Sequence, residues 1–196
     1  SDEKLVITAE HVVTATGNHA QRTAKLLGIK MPAIPVEHQY IVTEQHPDIM
    51  ARKKAGLPEM GVLRESDASY YMREEAGGLL LGPYELGAPA CYVDGPSATS
   101  EYELFPDALE RLEPYILAAM KRVPAFGEVG IKRVYNGAIA YTPDGSPIVG
   151  PAWGLKNFWL NEGHSFGVTA AGGAGWQLAH WIVDGEPTID MMGVDP

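Results

Sequence analysis

The 196-residue sequence has one cysteine, Cys91, which excludes an internal disulfide framework and a cysteine-based zinc cage. Its six histidines lack ligand spacing, so no metal site is expected. No stretch reaches the roughly 20 apolar residues of a membrane span, and no signal-peptide pattern opens the chain. Positive charge is sparse. The 15 Lys and Arg against 25 Asp and Glu leave a formal net charge of -10, which argues against nucleic acid or an anionic membrane as partner. There is no internal repeat, no low-complexity tract and no G-x-G-x-x-G. What remains is ordinary globular composition, 45% hydrophobic and 20% charged, with length for one sizeable core or two small domains. A reducing compartment fits, cytoplasmic or, in a eukaryote, the mitochondrial matrix.

One stretch, 157–173, organises the rest. It reads as a strand, a tight glycine turn and a helix that runs to a stop at Asp184-Gly185-Glu186-Pro187. The first N–H groups of such a helix have no internal acceptor and carry the positive end of its dipole, so an electron-rich group belongs there. Gly163-His164-Ser165-Phe166-Gly167 also fits G-x-S-x-G, the elbow of a serine hydrolase with Ser165 as nucleophile. That fold requires an acid and then a histidine later in the chain. Only His180 follows, with Asp184 and Asp190 beyond it, so the order is wrong. A third reading is that the glycines merely let a helix pack closely on a strand.

Upstream, 4–17 reads as two strands around a short turn, the second, 11–15, buried by its apolar run. Thr16-Gly17-Asn18 turns into a helix with Ala20, Ala24, Leu26 and Leu27 on its apolar face and Gly28 as its stop. This is a second strand–glycine–helix junction. Residues 36–43 alternate with period two, placing His38, Tyr40 and Val42 on one face and Glu37, Gln39 and Ile41 on the other. A polar loop is expected over 44–61. Strands follow over 62–64, 69–74 and 79–85, the last two joined by a hairpin at Gly77-Gly78. After a loop over 87–100, residues 107–122 have helical spacing, with Leu109, Leu112, Ile116, Leu117 and Met120 buried and Pro114 kinking or splitting the helix. A strand over 129–140 and a turn over 141–147 lead to the terminal strands and helix. The expected class is α+β. An antiparallel-sheet domain with a helix, 32–140, is flanked by partial α/β pieces, 1–31 and 141–196.

These residues in this order resemble the D-amino-acid-oxidase superfamily of FAD-dependent oxidoreductases, and within it the dimethylglycine and sarcosine dehydrogenases and their oxidase relatives. The resemblance is carried by Val12-Val13-Thr14-Ala15-Thr16-Gly17-Asn18-His19-Ala20, by 34–43, by Leu63-Arg64 through Tyr70-Tyr71, by Gly82-Pro83-Tyr84-Glu85, by 141–151 and by 163–173. It implies an enzyme that oxidises the C–N bond of a small N-methyl amine or amino acid with FAD. The family opens on a dinucleotide-binding βαβ unit that this stretch does not match. The implied correspondence is therefore to the substrate domain (32–140) and the partial FAD-binding pieces (1–31 and 141–196) of a longer polypeptide, inactive alone. The resemblance allows tetrahydrofolate as the ligand of a further C-terminal region. It leaves oxygen and an electron-transfer protein both open as acceptors.

Residue by residue, the resemblance implies that Gly163, His164, Ser165, Phe166, Gly167 and Val168 contact FAD, with Ala15, Thr16 and Gly17 beside its other end. It places His38 with the substrate amine as proton acceptor and Tyr70 beside it; strand alternation turns Tyr71 to the opposite face, where a structural role is expected. From residue type alone, His38 reads equally as a hydrogen-bonded core histidine and Tyr70 as strand packing. Arg64 and Arg73 are candidate carboxylate binders or surface partners. Two positions depart from the family: it has an aromatic residue where His19 stands and an aromatic or apolar one where His164 stands. Ile139 stands near where some relatives attach flavin through cysteine, and Cys91 lies elsewhere, so any covalent link is expected from an N-terminal part outside this stretch.

Overall fold

The computed structural model describes residues 5–196, which fold as an α+β protein with an antiparallel sheet. The chain divides into two compact units. One comprises Ser1–Val36, Ala90–Ser100 and Ile139–Pro196, the other Glu37–Pro89 and Glu101–Ala138. The loop Ala90–Ser100 thus belongs with the terminal pieces rather than with the middle block.

In the first unit, β1 (Val12–Thr14) pairs in parallel with β8 (Phe158–Glu162), which pairs antiparallel with β7 (Ile148–Pro151). Alternation along these strands serves two helices. Ile148 and Leu160 turn to α1 (Ala20–Leu27), packing with Ala20 and Ala24. Val149 and Trp159 turn to α4 (Gly167–Asp184), packing with Leu178 and Trp181. Gly28 and Gly185 end these helices in the left-handed conformation, at φ 68° and 88°. The strand expected over 11–15 is shorter and is not buried. Val12 and Val13 are each 47% exposed, because among the described residues β1 pairs with β8 alone. The strand expected to begin at Lys4 starts outside the described residues, and 5–9 has no regular structure. Leu26, expected on the apolar face of α1, is exposed.

The second unit is built on a five-stranded sheet. Its order is β3 (Leu63–Glu65), β4 (Tyr70–Glu75), β5 (Gly78–Pro83), β2 (Ile34–Thr43) and β6 (Ile131–Tyr141). Register fixes its faces. Ile41 lies opposite Leu81, and Leu81 opposite Met72, so Gln39, Ile41, Tyr70, Met72, Leu79 and Leu81 share one side. That side is closed by α3 (Leu109–Arg122) through Leu112 and Ala119, both fully buried, and by Phe126. Leu109, Leu117 and Met120, expected to be buried, are exposed. The packing stripe is Leu112–Ile116–Ala119, spaced i, i+4, i+7. Pro114 does not split α3. The bond it forgoes would go to Glu110 in the first turn, and the buried positions on either side hold the helix together. The loop expected over 44–61 contains α2 (Pro47–Lys54). His46 caps it by accepting from the Asp48 N–H at 3.2 Å, with Pro47 opening the first turn and Arg52, Lys53 and Lys54 closing the last.

Candidate active site

The second face of the five-stranded sheet carries His38, Tyr40 and Val42 from β2, Tyr71 and Arg73 from β4, and Tyr135 from β6. His38 sits edge-on to Tyr84 at 5.5 Å between ring centroids, and Tyr84 lies 5.9 Å from Tyr71. Burial pushes the His38 imidazole below the usual histidine value, against the Glu85 charge and a hydrogen bond to the Pro83 backbone. Proline has no N–H, so the ring is the donor and Pro83 supplies the carbonyl. Nε2 is buried and has no partner. The result is a neutral ring of fixed tautomer with one bare lone pair, which is what a proton acceptor requires.

The structure reverses the expected places of the two tyrosines. Tyr70 is 1% exposed and packs in the core with Ile41, Met72 and Leu112, so it is not beside His38. Tyr71 shares the face of His38. It lies opposite Gly82, where a Cβ would come within 2.4 Å of its ring carbons, so only glycine admits the ring there. Burial, chiefly, raises the Tyr71 phenol, which keeps it a donor. Tyr84 is braced by Arg64, whose Nη1 donates to its hydroxyl at 3.3 Å and whose guanidinium lies 4.9 Å over its ring. Arg73 pairs with Glu75 at 2.6 Å.

Beneath His38, on the closed face, Arg111 bridges two carboxylates, Glu37 through Nη1 and Glu85 through Nε, each at 2.8 Å. Gln39 donates to Glu85 and accepts from the Ala108 N–H. The Asn136 amide, then Arg111, hold Glu37 below the usual carboxylate range, against burial. Glu85 is nearly buried, so the charge that acts on His38 is itself held in place.

The two strand–glycine–helix junctions of the first unit differ in what their donors do. At Thr16-Gly17 both N–H groups are occupied by the carboxylate of Glu162, at 2.8 and 2.9 Å. The Thr14 and Thr16 hydroxyls donate to the same group, at 2.5 and 2.8 Å. Glu162 is 1% exposed. Ala15, Thr16 and Gly17 can therefore shape a cofactor's surroundings, but their amides cannot receive an anion. At the other junction, Gly163 has φ 72° and a Cβ there would meet Thr142 Cγ2 at 2.5 Å, so glycine is required. Phe166 caps α4, and its carbonyl accepts from Thr169 and Ala170. The first turn, with Gly167 and fully exposed Val168, presents N–H groups that have no acceptor within the helix. Gly172 and Gly173 continue that exposed side with open space where side chains would be. His164 Nε2 donates to Asn161 Oδ1 at 2.7 Å; its Nδ1 is buried without a partner, and burial holds the ring below the usual value. Residues 163–168 thus fit the electron-rich edge of a flavin, and 15–17 do not fit its phosphates.

A profile of the DAO family, FAD dependent oxidoreductase, matches residues 2–181. The chain belongs to this family of FAD-dependent oxidoreductases. It is 40% identical over 195 residues to a mitochondrial dimethylglycine dehydrogenase of Rattus norvegicus, covering 97% of this chain and 22% of that protein. To a mitochondrial sarcosine dehydrogenase of Homo sapiens it is 35% identical over 185 residues, covering 94% and 19%. The chain thus spans about a fifth of the length of these relatives. In structure it resembles an L-proline dehydrogenase from P. horikoshii, with a TM-score of 0.72 and 26% identity, over 95% of this chain and 46% of that one.

The serine-hydrolase alternative finds no support in this kinship or in the geometry. Among the described residues no histidine hydrogen-bonds Ser165; His164 engages Asn161 and His180 engages Asp184. Two residues escaped the sequence reading. Glu162 carries no local signal of its role, because its carboxylate serves the Thr16 and Gly17 amides, 146 and 145 residues away. Tyr84 follows directly on Gly82-Pro83 at the end of β5, but its place against His38 depends on pairing across the sheet.

Proposed function

We propose that this chain forms part of an FAD-dependent enzyme that oxidises the C–N bond of a small N-methyl amine or amino acid. The observation that carries this reading is His38, a neutral imidazole with its N–H held by Pro83 and its Nε2 bare, on a face lined by Tyr71 and Tyr84. An ammonium substrate must lose a proton before its C–H bond can release a hydride, and His38 Nε2 takes that proton. The Tyr71 hydroxyl orients the amine. The rings of Tyr71 and Tyr84 supply electron-rich surfaces that favour the cationic ground state and the developing iminium. FAD, when bound, supplies the two-electron acceptor. Gly163, His164, Ser165 and Phe166, leading into the first turn of α4 with Gly167 and Val168, would hold the flavin edge and offer it backbone donors. Ala15, Thr16 and Gly17, fixed by Glu162, flank the cofactor without binding charge. No residue here is assigned to tetrahydrofolate or to reoxidation by oxygen or an electron-transfer protein.

Anaerobic titration of the full-length, flavin-loaded protein with dimethylglycine, sarcosine and related N-methyl amines tests the reading. Bleaching of the flavin absorbance is expected; a flavin that stays oxidised with all of them refutes it.

A further inference from the structure

Two side chains of α3, Arg111 and Tyr115, reach the segments that surround His38. They stand at i and i+4 and so share a face of the helix. The Tyr115 hydroxyl accepts from the Leu86 N–H at 2.9 Å and donates to the Tyr84 carbonyl at 3.4 Å. Arg111 donates through Nε to Glu85 and through Nη1 to Glu37. The segment 84–86, whose Tyr84 ring stands edge-on to His38, is thus tied to α3 at each of its residues. The residues on either side of His38 are tied as well. Glu37 accepts from Arg111, and Gln39 Oε1 accepts at 2.8 Å from the N–H of Ala108, the residue that caps α3.

The charges in this cluster do not balance. Two carboxylates share one guanidinium, which leaves one negative charge. The Glu85 side chain is 3% exposed, and its other donor is the neutral Gln39 amide, at 3.3 and 3.4 Å. Around the His38 ring stand the Pro83 carbonyl, Tyr84, Tyr71 beyond Tyr84, and Arg64 over the Tyr84 ring; the charge that draws a proton to the ring is that of Glu85. We propose that Arg111 is a positioning residue for His38: it keeps the buried Glu85 carboxylate charged and in place, so that one net negative charge awaits the proton the ring takes from the amine. Without Arg111, Glu85 would be a buried charge with an amide donor alone, and such a charge is relieved by taking up a proton. The proposal rests on the amine-oxidation reading above. It adds the residue that sets how strong a base His38 is.

The test uses the full-length, flavin-loaded protein, with anaerobic flavin reduction by dimethylglycine or sarcosine followed against pH. Glu85→Gln removes the charge that favours the protonated ring, which moves the acid limb further to acid. Arg111→Met should move it the same way and by the same amount. Its rate above the limb should fall by roughly threefold to tenfold, a fraction of the loss expected when a positioned base is removed. The double variant Arg111→Met/Glu85→Gln should match Glu85→Gln alone, because the two residues act through one charge. Arg111→Lys, which keeps a counter-charge, should return the limb toward wild type. Arg122→Met, which breaks the pair with Glu65 in the last turn of α3, should leave limb and rate unchanged. An Arg111→Met limb at the wild-type position, or shifts that add in the double variant, overturns the proposal. If Arg111→Met does not fold, the double variant, which no longer carries the orphaned Glu85 charge, decides. A limb equal to that of Glu85→Gln supports the proposal, and a limb more acid than that overturns it. Imidazole NMR of the oxidised, amine-free protein, with His38 assigned by His38→Ala, separates this outcome from failure of the function itself. His38 should titrate at lower pH in Arg111→Met than in wild type, and equally in Glu85→Gln. That result supports the proposal even if no amine reduces the flavin. A wild-type titration in Arg111→Met overturns it even if amines do.

Discussion

The two faces of the five-stranded sheet are made from alternate residues of the same strands, yet they differ in what covers them. The closed face holds Gln39, Ile41, Tyr70 and Met72 under α3, and its charged members, Glu37, Glu85 and Arg111, are tied to one another. The open face holds His38, Tyr40, Tyr71 and Arg73. Its histidine has an Nε2 with no partner, Tyr40 stacks on Tyr135, Tyr71 lies tilted against Tyr84, and Arg133 lies over the Tyr135 ring. One register shift of a single residue would exchange them. Both faces keep buried polar atoms without a partner, Tyr70 Oη and Arg111 Nη2 on the closed one and His38 Nε2 on the open one, but α3 covers the first and not the second.

Substitutions that separate the faces sharpen this contrast. The largest expected effect is at His38: His38→Ala in the full-length enzyme should slow flavin reduction by roughly 10²–10⁴ while flavin still binds. A rate equal to wild type across the pH range would remove His38 from the open-face chemistry. The same group sets a pH limb. Because burial lowers its value, the ring is neutral and competent at ordinary pH, and it is lost as a base only when the pH falls through that lowered value. Reduction should therefore drop by about tenfold per pH unit on an acid limb centred below the ordinary histidine value of about 6.5. Glu85→Gln removes a charge that opposes the shift, so the limb should move further to acid; pre-steady-state rates against pH show either movement or none.

Smaller effects distinguish the adjacent tyrosines. Tyr71→Phe should reduce the rate by about tenfold, the worth of one hydrogen bond of about 1.4 kcal/mol. Tyr70→Phe should leave the rate within about twofold. Its hydroxyl is buried without a partner, so removing it should raise unfolding free energy by about 1 kcal/mol, read by urea denaturation. The opposite ranking of the two variants in rate would place Tyr70 on the working face.

Local pattern revealed most elements. The period of 36–43, the hairpin at Gly77-Gly78 and the stops at Gly28 and Gly185 depend on residues near one another in the chain. The assignment of Tyr70 and Tyr71 to faces did not, because it depends on β5 pairing with β2 at Ile41 and Leu81, forty residues apart. The α2 helix was hidden because its cap is a histidine, a residue that does not signal a helix start by type. Both strand–glycine–helix junctions were legible as motifs. Which of them keeps its donors free was not, since the Glu162 carboxylate that fills one comes from 146 residues away.

That distance also bears on the order in which the protein is made. At usual synthesis rates of about 5–20 residues per second, β1 leaves the ribosome roughly 7–30 s before its parallel partner β8 exists. Glu37–Pro89 and Glu101–Ala138, which form the second unit, are translated during that interval and can assemble from contacts already available. Of the strands described, β1 is thus made earliest and paired with β8 late. Until β8 arrives with Glu162, the Thr16-Gly17 turn lacks its acceptor, and Val12 and Val13 lack the strand they pair with here.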